Sequence, residues 1–239
     1  MITAKGVFKS FRQPDGSVKT ALEDINLKIE DGQLAVLAGE NGSGKSLLMK
    51  ILSGLEQPTH GEVEASDSIG LVFQDADAQI LADTPLEDIL FGLRNNRDIS
   101  KKQAMEKALS ALKKVGIDDK KDSPSHMLSG GEKRRLAIAS VLALGRKTVI
   151  FDEPYSNLDY PGVKSVNAII KELKAGGLTV LLLTHELEKC LALADRFLVL
   201  HRGKLVFDGS PPEALKLDLE SWGIRNPSAD GKTENLVWS

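Results

Sequence analysis

The chain of 239 residues contains 41% hydrophobic and 27% charged residues, a balance typical of a soluble folded protein with a sizeable core. Its formal net charge of −3 gives no overall attraction for nucleic acid, so DNA or RNA is not an expected partner. The single cysteine excludes an internal disulfide, and neither a signal peptide nor a membrane-spanning run of roughly 20 apolar residues is evident.

The first forty residues alternate short apolar runs with turn signals at 14–16 and 31–32. This pattern predicts an antiparallel edge of short strands. A buried strand over 34–38 then leads into a Gly-rich loop and a helix. A further turn at 57–62 precedes a strand at 68–74.

The rest of the chain alternates helices and strands. Residues 84–116 carry apolar side chains at helical spacing, and a second helix runs on from Gly130. A strand at 148–152, a helix from about 163 to 175 and a strand at 179–184 follow. Such alternation predicts an α/β fold with a mainly parallel sheet covered on both faces.

Two segments stand apart from this alternation. The block between Gln74 and Ser129 is mostly helical and is predicted to be a subdomain inserted into the sheet. Cys190 lies in a run that reads as helical, 185–196, where we expect an inert, half-buried thiol.

The loop GENGSGKS at 39–46 fits the pattern G-x-x-x-x-G-K-[ST] and lies between a strand and a helix, as that pattern requires. Glycines let such a loop turn its N–H groups toward a phosphate, and the helix start favours an anion. A dinucleotide loop does not fit, because Leu47 stands where its third glycine would be. The predicted nucleotide-binding residues here are Gly39, Asn41, Gly42, Ser43, Gly44, Lys45, Ser46 and Leu47.

The chemistry expected of this loop is nucleoside triphosphate binding. Lys45 would contact the β- and γ-phosphates, and the hydroxyl of Ser46 would coordinate Mg²⁺. A second metal ligand, Asp152, ends the strand TVIFD, and Glu153 follows as the candidate general base. The alternative reading of Asp152 and Glu153 is an ordinary acidic turn after a strand.

Two further polar residues follow apolar strands. Gln74 would contact Mg²⁺ or the attacking water, and His185 the γ-phosphate, because ligands gather at strand ends in open α/β sheets. Either residue alone is more typical of a plain loop.

A second anion site is predicted at MLSGGEKRR, 127–135, where Ser129, Gly130, Gly131 and Glu132 stand at a helix start. If the two phosphate-binding helix starts lie far apart in one subunit, they share a nucleotide only across a dimer interface.

In this order the motifs resemble the ABC ATPase family over roughly residues 2–215. The matching segments are GENGSGKS as Walker A, Gln74 as Q-loop, LSGGE as signature, VIFDEP as Walker B, SNLD at 156–159 as D-loop and His185 as switch. The resemblance implies ATP as the nucleotide, a P-loop NTPase fold of the ABC ATPase type, and an antiparallel N-terminal β subdomain. It also implies that Ser129 and its neighbours bind the γ-phosphate of the opposite subunit's ATP, with Asp159 in the D-loop.

The family also suggests Phe11 as the aromatic that stacks on adenine; a role in the core or at a sheet edge stays open. Leu47 departs from the family, which often has a second hydroxyl residue there. We expect residues 1–225 to form a single ABC ATPase domain, with the helical subdomain at about 80–140 and a polar tail at 226–239.

The stretch VFQDADAQILADTPLEDILFG, 72–92, resembles the energy-coupling-factor and cobalt-type importers. That resemblance implies a peripheral subunit at the cytoplasmic face of the cell membrane that powers import of a vitamin or transition-metal ion. Its partners would be a second ABC ATPase, a transmembrane coupling protein and a membrane-embedded substrate-binding subunit. Asp75 and Asp77 would face arginines of the coupling protein, unless they form a solvated acidic turn. Ala76, Leu81 and an early C-terminus depart from the pattern.

Two other function classes remain. One is the ATPase of another ABC importer or exporter. The other is a soluble ABC ATPase of DNA repair or translation, which the 54 residues between Gln74 and Ser129 make less fitting, since repair types insert a long coiled coil there.

Overall fold

The structure, a computed structural model, describes residues 1–94 and 99–227. Most of the predicted polar tail therefore lies outside the described residues.

A three-stranded antiparallel sheet is built from β1 (Ile2–Arg12), β2 (Val18–Ile29) and β4 (His60–Ala65), in the order β2-β1-β4. The prediction of short strands was wrong in length, because β1 and β2 have 11 and 12 residues. Both strands run through irregular positions, Gly6 at φ 54° and Asp24 at φ 50°, which act as bulges that bend a strand without ending it. The turn predicted at 57–62 overlaps the start of β4.

A six-stranded sheet has the order β5-β6-β7-β3-β8-β9. Its first five strands in that order are parallel, and β9 is antiparallel to β8. The strands are β3 (Leu34–Ala38), β5 (Ile69–Val72), β6 (Thr148–Asp152), β7 (Thr179–Leu183), β8 (Arg196–His201) and β9 (Lys204–Gly209). This confirms the mainly parallel sheet; β8 and β9 were not predicted from the sequence.

The helices of the described residues are α1 (Lys45–Leu52), α2 (Pro85–Leu93), α3 (Lys101–Lys114), α4 (Gly130–Ala143), α5 (Tyr160–Ala175) and α6 (Pro211–Ala214). Several begin at side-chain caps: Thr84 precedes Pro85 at the start of α2, and Ser100 and Ser129 each form a capping box. Capping by a hydroxyl side chain satisfies N–H groups that the first helical turn leaves without partners. The bounds of the predicted helical subdomain and of the single domain stay predictions.

The core lies on both faces of the six-stranded sheet. Side chains such as Phe151 and Leu182 point to one face and pack with α3, α4 and α5. The alternate residues, including Ile150 and Leu181, point to the other face and pack with α1 and the three-stranded sheet. Every residue of β3, β6 and β7 is buried, as expected for parallel strands covered on both sides.

The segment around Cys190 differs from the prediction in two ways. Short 3₁₀ turns at Leu187–Lys189 and Leu191–Leu193 replace the expected helix, and the thiol is fully buried rather than half-buried. The backbone bonds here span three residues, and the carbonyl of Lys189 accepts a hydrogen bond from Asn167 Nδ2 instead of a helical N–H. Burial raises the pKa of the Cys190 thiol, in agreement with an inert cysteine.

Candidate active site

The carboxyl ends of the adjacent strands β6, β7 and β3 meet at one edge of the sheet. The Gly-rich loop follows β3, and His185 lies two residues after β7. Strand β6 ends at Asp152, and Glu153 is the next residue. Ligands of open α/β sheets bind at this edge. A cleft of about 550 Å³ lies here.

The Gly-rich loop takes a conformation that side chains would disturb. A Cβ on Gly39 would lie 2.3 Å from the backbone oxygen of Leu200, and Gly44, the cap of α1, has φ 109°. Both positions therefore need glycine. The loop is fixed against β8 before α1 begins.

Lys45 is the cation of this loop. Its Nζ donates hydrogen bonds to the carbonyl oxygens of Gly39, at 2.7 Å, and Glu40, at 3.2 Å. Burial lowers the pKa of Lys45, while the negative charges of Glu153, Asp152 and Glu40 oppose that shift. Its position in the cleft suits a phosphate.

Ser46 and Asp152 form the candidate metal site. The Ser46 Oγ lies 3.4 Å from Asp152 Oδ1. Burial raises the pKa of Asp152; the hydrogen bond from Ser46 opposes this, and the negative charge of Glu153 adds to it. No group of three or more His, Cys, Asp or Glu side chains suited to a metal occurs in the described part of the chain. Mg²⁺ does not require one, since it binds through one or two protein oxygens together with phosphates and water, and this hydroxyl–carboxylate pair fits that pattern.

Glu153 and His185 contact each other at the centre of the site. Glu153 Oε1 lies 3.0 Å from His185 Nδ1. The other oxygen, Oε2, is buried without a hydrogen-bond partner, and the residue as a whole is only 6% exposed. Its backbone has φ 46°, a left-handed conformation uncommon for residues other than glycine. Such a buried, unpaired carboxylate oxygen can accept a bond from water.

Gln74 lines the same cleft as Lys45, Glu153 and His185. Its Nε2 lies 3.5 Å from Ser156 Oγ. The buried Arg134 of α4 donates to the carbonyl oxygens of Phe73 and Gln74. Arg134 therefore connects the Q-loop to the helix that starts at Ser129, and the sequence analysis did not single it out.

The LSGGE segment does not line the cleft. Ser129 caps α4, with its hydroxyl and backbone N–H both bonded to Glu132. A Cβ on Gly130 or Gly131 would meet nothing within 4 Å. The structure thus gives one chain two separate helix starts of the kind that bind phosphate.

Three other predicted residues, Phe11, Leu47 and Asp159, differ in their position relative to the cleft. Phe11 is 44% exposed, which excludes a core role and leaves adenine stacking and an edge position; it pairs across the strands with Lys19, which lines the cleft. Leu47 also lines the cleft. Asp159 caps α5 by accepting a hydrogen bond from the N–H of Gly162 at 2.9 Å and does not line it.

Asp75 and Asp77 have partners within the chain. Asp75 accepts hydrogen bonds from the N–H groups of Asp77 and Ala78. Asp77 forms an ion pair with Lys133 of α4. An arginine on another subunit would compete with Lys133 for Asp77.

One wall of the cleft was not predicted from the sequence. It is formed by Lys19, Thr20 and Ala21 of β2 and by Arg202 and Gly203 between β8 and β9. A Cβ on Gly203 would lie 2.4 Å from the oxygen of Ala21, so the two segments touch. The only available signal was an Arg-Gly turn between strands. Its contact partner lies about 180 residues away in the sequence, and local pattern cannot reveal such a pair.

Fold and site together define a P-loop nucleoside triphosphatase. Residues 22–156 match the family model described as ABC transporter. The chain belongs to the ABC transporter family, as an ATP-binding subunit that hydrolyses ATP.

Among curated proteins the chain is similar to energy-coupling factor transporter ATP-binding proteins. It is 39% identical to EcfA1 of Caldanaerobacter subterraneus subsp. tengcongensis, over 90% of this chain and 83% of that protein. It is 35% identical to EcfA of Methanocaldococcus jannaschii, over 88% of this chain and 80% of that protein.

Two solved structures share the fold. CbiO1 from Clostridium perfringens, described as part of the ABC transporter complex cbiONQ, has a TM-score of 0.80 and 30% identity, covering 90% of each chain. The dimeric ATP-binding cassette MJ0796, bound to ADP and Pi, has a TM-score of 0.79 and 27% identity, covering 88% of this chain and 98% of that one. These likenesses confirm the predicted ABC ATPase fold.

Within the described residues, no helix has the length and apolar character needed to cross a membrane.

Proposed function

We propose that this chain powers a membrane importer of the energy-coupling-factor type, which takes up a vitamin or transition-metal ion, through ATP-driven closure of a dimer. The identity of 39% to one EcfA1 and 35% to one EcfA supports the transporter type. The fold shared with cbiO1, part of a cbiONQ complex, supports it as well.

The observation that carries the dimer is the separation of two phosphate-binding helix starts. Lys45 lies in the cleft, whereas Ser129 to Glu132 lie outside it with an open face. ATP bound to one subunit's Lys45 and Ser46 would contact Ser129, Gly130 and Gly131 of the other. Affinity for ATP would then be higher in the closed dimer, which favours closure.

Hydrolysis is assigned to Glu153. Its carboxylate accepts a proton from water as that water attacks the γ-phosphorus, and the bond to the β-phosphate oxygen breaks to leave ADP and phosphate. His185 holds Oε1 of Glu153, and Lys45 stabilises the negative charge on the phosphate oxygens. Ser46, Asp152 and Gln74 would hold Mg²⁺, which when bound neutralises charge on the phosphates.

Binding of the adenine ring of ATP is assigned to Phe11. The ring is exposed, lies across from Lys19 of the cleft wall, and has Lys9 Nζ 5.2 Å from its centroid. An aromatic face at this position offers stacking area for a purine.

Membrane attachment is assigned to partners. A transmembrane coupling protein would bind near Asp75 and Asp77, at the cytoplasmic face, together with a membrane-embedded substrate-binding subunit and a second ABC ATPase. Movement of α4 would reach this surface through Arg134 and the Lys133–Asp77 ion pair.

The test is purification of a tagged chain from detergent-solubilised native membranes, with co-purifying proteins identified by mass spectrometry. Recovery of a small multi-span protein, a second ATPase and a very hydrophobic binding subunit is expected. A different type of permease would indicate another ABC transporter. Recovery of soluble proteins alone would contradict transport.

A further inference from the structure

A chain of buried hydrogen bonds lies behind the active site. Tyr155 is fully buried and Asn167 is 2% exposed. The hydroxyl of Tyr155 donates to Asn167 Oδ1 at 2.7 Å, and Asn167 Nδ2 donates to the carbonyl oxygen of Lys189 at 2.7 Å. We call these three groups the buried relay.

The two ends of the buried relay belong to the loops that carry Glu153 and His185. Tyr155 follows Glu153 by two residues, and Lys189 follows His185 by four. At the strand ends the same loops are joined by the hydrogen bond from the N–H of Glu153 to the carbonyl of Leu183, at 2.8 Å. The buried relay is therefore a second, deeper attachment between them.

The middle of the buried relay lies on α5. Asn167 is on the helix that starts from the D-loop cap, Asp159. Val163 and Ile170, about one helical turn before and after Asn167 on α5, are buried in the apolar core. A polar pair costs free energy in such a place unless every group is bonded, and here the amide is bonded at both ends.

Apolar side chains of similar size could fill the core in place of the Tyr155 hydroxyl and the Asn167 amide. Neither Tyr155 nor Asn167 lines the cleft, so neither touches nucleotide. The two hydrogen bonds link the loop after β6 to the loop after β7 through α5. Glu153 needs such support, because a left-handed φ of 46° persists only where surrounding structure enforces it.

We propose that Tyr155 and Asn167 are positioning residues that hold Glu153 and His185 at their working separation. The inference rests on the role given to Glu153 under the proposed function. It adds that catalytic geometry depends on a hydrogen-bonded pair outside the cleft.

The test measures ATP hydrolysis by the full chain in its membrane complex, with Tyr155→Phe and Asn167→Leu. Each variant is expected to lower kcat by roughly 10-fold with KM for ATP within about twofold, since small displacements of reacting groups reduce the chemical step rather than binding. The double variant is expected to lose no more than the larger single loss, because both remove one connection.

The decisive measurement repeats Tyr155→Phe in a Glu153→Gln background under single-turnover conditions. A residue that acts through Glu153 adds no loss once that carboxylate is gone. Leu173→Val, a buried change nearer the far end of α5, serves as the control, with urea unfolding of each variant. The control is expected to lower the unfolding midpoint and leave kcat unchanged.

An equal loss from Tyr155→Phe in both backgrounds, or unchanged kcat in both Tyr155→Phe and Asn167→Leu, would overturn the positioning role. Near-normal turnover of Glu153→Gln alone would instead overturn the assignment of the base.

Discussion

The two helix starts of this chain that are proposed to bind phosphate differ in how far they are assembled. The start of α1 lies in a cleft with Lys45 beside Asp152 and Glu153, and its loop is fixed against β8. The start of α4 has an open face at Gly130 and Gly131, and its hydroxyl is bonded to its own helix through Glu132. The α1 site is formed within a single chain, whereas the α4 site presents only the hydrogen-bond donors of an open helix start.

In the proposed dimer, this difference places the control of hydrolysis at the start of α4. Chemistry needs groups held in place before ATP arrives, and the α1 site has them. On the proposed function, the α4 site lies outside the cleft of its own chain and acts when a second subunit delivers a phosphate to it. Substitutions at the two sites should therefore have different effects on ATP affinity and turnover.

The largest expected effect is that of Glu153→Gln. The variant should bind ATP normally but lower kcat by roughly 10² to 10⁴ fold, the range for loss of a general base. Glu172→Gln, an exposed change on α5, is the matched control and should be neutral. Turnover is measured by phosphate release and ATP affinity by titration; near-normal turnover would contradict the assignment.

Ser129→Arg should lower kcat by roughly 10²-fold, as for a lost transition-state contact, with ATP affinity of the isolated subunit unchanged. The added side chain blocks the open face of α4 without entering the cleft. Ser110→Arg, exposed on α3, is the control.

A mixed dimer tests whether the two helix starts act on one nucleotide across the subunit interface. One Lys45→Ala chain paired with one Ser129→Arg chain keeps one intact composite site, so it should recover activity that neither variant has alone. Failure to recover any activity would argue against sites shared between subunits.

Leu47→Thr should strengthen ATP binding by up to roughly fivefold, because a hydroxyl at this cleft position adds one hydrogen bond of about 1 kcal/mol. Leu47→Val, which adds no hydroxyl, is the control. Equal ATP affinities of the two variants would show that the added hydroxyl at position 47 does not reach a phosphate oxygen.

The smallest effect concerns stability. Burial raises the pKa of Asp152, so the folded state holds this proton more tightly than the unfolded state, and stability falls as pH rises through the raised pKa. Asp152→Asn should therefore stabilise the metal-free protein at pH 7, with a gain that disappears as pH falls toward the ordinary carboxyl value of 3.8. Urea unfolding in EDTA at several pH values measures this; a gain that grows on acidification would contradict it.

Local sequence pattern predicted the structural features that depend on residues adjacent in the sequence. The Gly-rich loop and the strand ending at Asp152 each consist of an apolar run followed by a turn, and the structure has them where expected. The start of α4 was predicted for the same reason, since Ser129 and Glu132 form a capping box with a recognisable spacing.

Contacts between distant segments were not predictable in this way. The cleft wall at Gly203 exists because two sheets meet there, and the bond from Tyr155 to Asn167 forms inside the core. Around Cys190 a helical composition gave 3₁₀ turns, and the carbonyl of Lys189 there accepts a hydrogen bond from the side chain of Asn167 on α5. Tertiary hydrogen bonds overrode local preference there.

The ammonium of Lys45 is already bonded to two oxygens of its own loop, those of Gly39 and Glu40. We expect ATP binding at Lys45 to be an exchange of acceptors, in which phosphate oxygens replace these two backbone oxygens, rather than a folding event. Little conformational entropy has to be lost at that moment. We therefore expect the loop to keep this shape through repeated cycles of ATP binding and release.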